Sequence, residues 1–178
     1  MIIGFGHRKR VGKDLACRHL RTHSANCKIY SFADKLYDIC HQLYGWAGQQ
    51  DKAYYEQFPE KKNVVLPAIG KTPRQITIDM GTPGIRNCVY DRTWIDYLMQ
   101  NLKEPALISD VRFTNEARHI QIMGGKVIRI DRPSIPHTDD AADIDLAEFT
   151  DWDKIITNDD SPNFFTILES EILPWLTC

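Results

Sequence analysis

Short apolar runs punctuate the chain at residues 1–5, 27–32, 106–109, 126–130 and 154–157. Each is bounded by polar or turn-forming residues, the profile of strands buried on both faces of a sheet. Between these runs the apolar positions recur at helical spacing. Helices are expected over 14–23 and 33–44, and Thr72 followed by Pro73 opens another that Gly81 and Pro83 should stop. Trp94, Ile95, Leu98 and Leu102 form an apolar stripe within 91–103, where Trp94 reads as core. Thr114 reads as an N-cap with Ala117 in place of a capping glutamate, and that helix should end at the Gly124 and Gly125 pair. A last amphipathic helix covers 163–176. Strands alternating with helices give an α/β fold: a mostly parallel, five-stranded sheet with helices on both faces. The strand ends, and with them Lys13, Asp34 and Asp110, then share the edge where such sheets bind ligands.

One stretch breaks the rhythm. Residues 45–71 carry Trp46, Tyr54, Tyr55 and Phe58 among charges and are interrupted by Pro59 and Pro67, which suits an insertion or lid. Its aromatic residues can anchor a long loop or cover a base; anchoring is the favoured reading. The acidic stretch DDAADIDLAEF is read as a solvated loop and short helix.

The first apolar run leads into GHRKRVGKD, in which Gly6, Gly12 and a group of basic residues precede the first acid, Asp14. A strand, a flexible turn and a helix N-terminus in that order expose backbone N–H groups at the positive end of a helix dipole, an arrangement suited to phosphate. The general phosphate-loop pattern requires glycine, four residues, glycine, lysine and a hydroxyl residue. Here Gly12 and Lys13 close it, His7 stands at the opening position with Gly6 one place early, and Asp14 replaces the hydroxyl. The alternative is a basic turn whose lysine faces solvent. Asp34 begins a helix directly after a strand and reads equally as a dipole-favoured acid or a substrate contact. Asp110, where the chain leaves a buried strand, is placed to reach magnesium or a ligand.

At 178 residues the chain has the length of one domain. With 22 basic and 24 acidic side chains the net charge is -2, which disfavours binding to long nucleic acids while leaving local basic clusters for a small phosphorylated ligand. Cys17, Cys27, Cys40, Cys88 and Cys178 show no CxxC spacing and are odd in number, so a reducing, cytoplasmic setting is expected, without a leader or a membrane span.

Taken together, IIGFGHRKRVGKD, YSFADKLY, GKTPRQ, GTPGIRNCVYDRTW, ISDVRFTNEA, GGKVIRIDRP and the late TND turn resemble the bacteriophage deoxynucleoside monophosphate kinases of the P-loop nucleoside monophosphate kinase superfamily. The resemblance implies a P-loop kinase fold over 1–178, an acceptor-binding insertion at about 45–104 and a lid-like segment at about 132–150. It implies transfer of the γ-phosphoryl of ATP to a deoxynucleoside 5′-monophosphate with Mg²⁺, in the host cytoplasm if the gene is viral. The ATP phosphates would lie in Gly6, His7, Arg8, Lys9, Arg10, Val11, Gly12, Lys13 and Asp14; Asp14 suits the GKD variant of the family, whereas His7 departs from its usual glycine. The acceptor would meet Asp34, Lys35, Arg74, Gln75, Arg86 and Trp94, and Asp110, Arg112, Asn115 and Glu116 would lie at the active edge.

The chemistry of two polyanions held in line assigns Lys13 and Arg10 to the donor, Arg74 and Arg86 to the acceptor phosphate, and Asp110 to Mg²⁺ through water. Arg112 or Arg132 would reach the transferring phosphoryl on closure. Thr138 and Asp139, after His137, stand where family members often carry a serine and a glutamate. Competing readings are another small kinase of the dephospho-coenzyme A type, from which TPRQ and the downstream arginine distinguish the chain, and a nucleotide sensor that keeps the fold without transfer. DNA binding through RKR lacks a recognition-helix pattern. A homodimer is compatible with the resemblance.

Overall fold

The computed structural model describes residues 1–135 and 145–177. The core of the expected lid, together with His137, Thr138 and Asp139, lies outside the described residues. Two compact units are present, one comprising Met1–Ser31 and Asn101–Cys178, the other Phe32–Gln100. In chain order, β1 (Ile2–Gly6), α1 (Lys13–His23) and β2 (Lys28–Tyr30) open the first unit. The second carries α2 (Asp34–Tyr44), α3 (Lys52–Gln57), α4 (Pro73–Asp79) and most of α5 (Thr93–Asn101). The chain returns through β3 (Ala106–Val111), α6 (Thr114–Ile122), β4 (Lys126–Asp131) and β5 (Lys154–Thr157). It closes with α7 (Asn163–Ile167), a π-helical turn (Leu168–Ile172) and α8 (Leu173–Thr177). Among the described residues, no helix is long and apolar enough to cross a membrane.

The five strands form one sheet in the order β2-β3-β1-β4-β5, with every pairing parallel. The expected α/β sheet is therefore present. From the centre the chain turns first toward β2 and later, from β3, toward β4, so right-handed crossovers carry α1 and α6 to opposite faces. Side chains follow that division. Ile3, Phe5, Leu107, Ile128 and Ile130 join Ala16, Cys17 and Leu20 of α1, Phe164 of α7 and Leu168 and Ile172 of the π-helical turn in one buried cluster. On the other face, a Cβ at Gly4 would lie 2.5 Å from Ile120 Cδ1 of α6 and 2.9 Å from Val111 Cγ2. Glycine there lets α6 approach the central strand.

The register between β1 and β3 contains a bulge. Gly4 pairs with Ile108 and Gly6 with Val111, so one extra residue is accommodated on β3 over the Ser109 and Asp110 positions. A bulge breaks the alternation of side chains and commonly re-aims one near a functional site.

In the second unit, α4 opens with the expected cap. Thr72 Oγ1 accepts from the Gln75 N–H at 3.2 Å, and Gln75 Oε1 accepts from the Thr72 N–H at 2.9 Å. Gly81 and Pro83 do not stop the helix, which widens into a π-helical segment, Met80–Arg86. Wider winding lets the Asn87 N–H reach Thr82 O at 2.9 Å, past the proline that lacks a donor of its own. Gly84 makes the turn possible, because a Cβ there would lie 2.7 Å from Asp79 O. The aromatic insertion is anchored through Tyr55, which is 1% exposed and whose hydroxyl accepts from the Gln50 N–H at 3.0 Å. Tyr54 packs on both Tyr55 and Phe58, whereas Trp46 is 75% exposed.

The expected N-cap of α6 is also one residue out. Phe113 occupies the cap position, so Glu116 rather than Ala117 falls at N3. The Glu116 carboxylate accepts from the N–H groups of Arg112 and Phe113 at 2.8 and 3.1 Å, supplying the cap that a Thr114 start would have lacked.

Candidate phosphate site

The loop between β1 and α1 takes left-handed backbone at His7 (φ 88°), Arg10 (φ 65°) and Gly12 (φ 111°). Glycine adopts such angles without strain, and histidine is among the few other residues found there. His7 is held in place by its own ring. Nδ1 lies 2.9 Å from Asp131 Oδ1 and 3.3 Å from Ile130 O, both acceptors, so Nδ1 carries the proton and donates. Burial lowers the imidazole pKa and the Arg129 guanidinium lowers it further, against the opposing pull of the Ile130 carbonyl and Asp131. The contact is therefore a neutral imidazole bonded to a carboxylate rather than an ion pair.

Lys13, the first residue of α1, is buried and folds its ammonium back over the loop. Nζ donates to His7 O at 2.8 Å and also to Arg8 O. These bonds keep a buried cation satisfied and hold it at the mouth of the helix, where the first-turn N–H groups and the dipole favour an anion. Gly12, at the N-cap, has no side chain to occupy that position. Asp14 and Arg10 are exposed.

Two further contacts shape the loop from outside its own sequence. Asn158, directly after β5 and 3% exposed, donates through Nδ2 to Val11 O at 2.9 Å and accepts at Oδ1 from the Asp160 N–H at 3.1 Å. Arg132, just after β4, donates through Nη1 to Arg10 O at 2.9 Å, and its Nη2 meets Asp160 Oδ1 at 2.5 Å. The Arg132 guanidinium, aided by the Ser134 hydroxyl, holds the Asp160 carboxyl below its ordinary range. Arg8 likewise turns to backbone, donating to Ile135 O at 3.2 Å.

Next to the loop strand, at the carboxyl end of β3, Asp110 Oδ2 accepts a 2.6 Å hydrogen bond from Ser31 Oγ. Behind it Cys17 is fully enclosed; burial pushes its thiol pKa well up, and the nearby carboxylates of Asp14 and Asp110 add to the effect. Arg112 is half-buried, with its backbone N–H committed to Glu116. The first unit thus brings Lys13, Arg132 and the loop residues into direct contact, with Asp110 at the end of the adjoining strand.

In the second unit the remaining expected residues have separate local partners. Asp34, in the first turn of α2, bonds Lys52, and Lys35 pairs with Asp38 at 2.5 Å with its ammonium 5.6 Å from the centre of the Tyr97 ring. Arg74 is exposed and donates from Nε to Asn63 Oδ1 at 3.0 Å. Gln75 closes the α4 cap, and Arg86 is 7% exposed at the end of the π-helical segment. Trp94 is buried and donates from Nε1 to Gly81 O at 3.0 Å, which ties α5 to the π-helical turn.

Asn158, Asp160, Ser31 and Asp131 were not among the residues singled out from sequence. The TND turn contained the signal for the first, since a polar side chain just past a strand end lies at the same sheet edge as the phosphate loop.

No protein-family model matches the sequence. The chain is 30% identical over 174 residues to a protein of Acanthamoeba polyphaga mimivirus that bears the provisional name deoxynucleotide monophosphate kinase, covering 89% of this chain and 88% of that one. That relative belongs to a mimivirus and not to a phage, so the match supports the kinase part of the resemblance without a bacteriophage source. With likeness along nearly the whole of both chains, and a parallel sheet whose central strand feeds a lysine-bearing loop into a helix N-terminus, the chain belongs to the deoxynucleotide monophosphate kinase-like family of P-loop proteins.

Proposed function

We propose that the protein transfers the γ-phosphoryl of ATP to a deoxynucleoside 5′-monophosphate, giving ADP and the diphosphate. The observation that carries this reading is the loop at the N-terminus of α1, with its left-handed His7, Arg10 and Gly12 and with Lys13 held over it. Neutral ligands would gain little from a buried ammonium at a helix N-terminus; phosphate gains from both the charge and the dipole.

In this reading Lys13 exchanges its bonds to the His7 and Arg8 carbonyls for donor phosphate oxygens. Arg10, exposed at the turn, adds a second positive charge on the donor side. Arg132 holds the backbone of Arg10 and can reach the transferring group, as can Arg112. Arg74 and Arg86 neutralise the acceptor monophosphate, for which the planar guanidinium is suited. Asp34, Lys35, Gln75 and Trp94 shape the acceptor side, and the segment spanning 45–104 serves as the acceptor-binding insertion. Phosphoryl transfer asks the protein chiefly to position two anions and offset their repulsion, and this residue set is of that kind.

Magnesium fits the donor set. The Asp110 carboxylate and the Ser31 hydroxyl are hard oxygen groups at the ends of β3 and β2, and Asp110 would hold the ion through water. When bound, the ion would neutralise charge on the donor phosphates. Ser31 and the β3 bulge keep Asp110 at the strand end.

The test is ADP formation from ATP with each common ribo- and deoxyribonucleoside monophosphate. Acceptor-dependent turnover that disappears in Lys13→Ala supports the proposal. ATP binding with no turnover on any acceptor would instead favour a nucleotide sensor that has kept the fold.

A further inference from the structure

We propose a second ligand site, for a zinc-type divalent transition-metal ion, formed by His19 and His23 of α1 and Glu169 of the C-terminal π-helical turn. The two histidines are four residues apart and so share one face of α1. Each of the three side chains offers one ligand atom, and these atoms all lie within 4.8 Å of one another. His19 Nε2 is 2.8 Å from Glu169 Oε1, and His23 Nε2 is 3.7 Å from the same oxygen. In a tetrahedral site with bonds of about 2.0–2.2 Å, ligand atoms lie about 3.4 Å apart. The two contacts to Glu169 lie within tenths of an ångström of that value, and turning the exposed His23 side chain brings the remaining pair into range.

The hydrogen bonds around His23 prepare it as a ligand. The Thr22 hydroxyl donates to His19 O at 2.7 Å, so its oxygen is left to accept. His23 Nδ1 lies 3.1 Å from that hydroxyl and 3.1 Å from His19 O. Facing two acceptors, Nδ1 must carry the proton. In the neutral ring Nε2 then presents its lone pair on the side where Glu169 also presents one, and a cation between them resolves the opposition. Metal-binding histidines are typically oriented in this way, through a backbone carbonyl bonded to the other ring nitrogen. His19 is braced between the rings of Phe165, 4.6 Å away, and His23, 4.8 Å away.

Two imidazoles and a carboxylate, with a fourth position left to water, suit zinc and its neighbours better than magnesium or calcium. Bound metal would clip the end of α1, the helix whose first residue is Lys13, to the C-terminal π-helical turn. The site is independent of the phosphate chemistry, and the ion adds stability only to the folded chain.

The experiment uses the full chain freed of metal and titrated with zinc against a chromophoric chelator. One saturable equivalent is expected. His23→Gln and Glu169→Gln, both at exposed positions on different helices, should each weaken binding by about tenfold or more. Zinc should raise the thermal midpoint of the wild-type chain and leave that of His19→Gln with His23→Gln unchanged. A cobalt-loaded sample should show ligand-field bands without a thiolate charge-transfer band, which separates this site from Cys88 and Cys178. Equal affinity in the double variant, a thiolate signature, or no saturable binding at micromolar zinc would each overturn the proposal, leaving only the contacts of the two histidines with Glu169.

Discussion

Asn158 Nδ2 donates to the carbonyl oxygen of Val11 at 2.9 Å, joining the turn after β5 to the loop that precedes Lys13. The same amide nitrogen would lie only 2.6 Å from a Cβ at Gly12. An edge strand and the phosphate loop therefore fix each other through one buried side chain. Replacing Asn158 with alanine leaves the Val11 carbonyl without that donor, and should lower unfolding stability by about 1–3 kcal/mol in denaturant titrations. The loosened loop should also raise the KM for ATP more than that for the acceptor. Equal effects on both substrates would argue against a role centred on the loop.

His7 combines a left-handed backbone with two ring contacts, so its alanine and glycine variants should separate the two contributions. Alanine loses the bonds to Asp131 and Ile130 while keeping the unfavourable φ, whereas glycine loses the bonds and relieves the backbone by about 1–2 kcal/mol. His7→Gly should therefore unfold at higher denaturant than His7→Ala; the reverse order would contradict the account.

The folded protein holds His7 below the ordinary imidazole pKa, because burial and Arg129 disfavour its charged form. The unfolded chain consequently binds the proton more readily between the ordinary value of about 6.5 and the lowered one. This contribution to stability is complete above about pH 6.5 and is lost as the pH falls through the lower, folded value. His7→Gln should flatten that acid-side decline in a series of unfolding curves.

Much of the fold was legible because parallel strands buried on both faces appear as brief apolar runs, and all five strands lie where such runs predict them. What periodicity could not show was how defects are absorbed. Pro83 and Gly81 read as a stop, yet the backbone widens to π geometry around them. Glu116 became the cap of α6 because the helix starts one position earlier than Thr114 suggested. Lys13 was expected at the start of a helix and Asp110 at the end of a buried strand, and both lie there, Lys13 as the first residue of α1 and Asp110 as the last but one of β3. Asn158 and Asp160 reach the loop only through the lateral order of the sheet, which a linear pattern does not contain.

Asp110→Asn keeps an oxygen that can accept from Ser31 Oγ but removes the charge proposed to hold magnesium. It should reduce kcat by about a hundredfold or more, with little change in thermal midpoint. A variant with wild-type kcat at saturating magnesium would remove Asp110 from that role.

Arg74→Ala should raise the KM for the monophosphate by about tenfold or more, the loss of one charge-assisted hydrogen bond, while the KM for ATP stays unchanged. The exposed position of Arg74 makes a folding defect an unsuitable explanation for such a change. An unchanged acceptor KM would contradict its assignment.

The most direct test of the central claim follows the phosphoryl group itself, with ATP labelled at the γ-phosphate and supplied with a deoxynucleoside monophosphate and magnesium. The account predicts label in the deoxynucleoside diphosphate, in step with ADP, and none in Lys13→Ala. Label released only as inorganic phosphate, or retained in ATP with every acceptor, would contradict it.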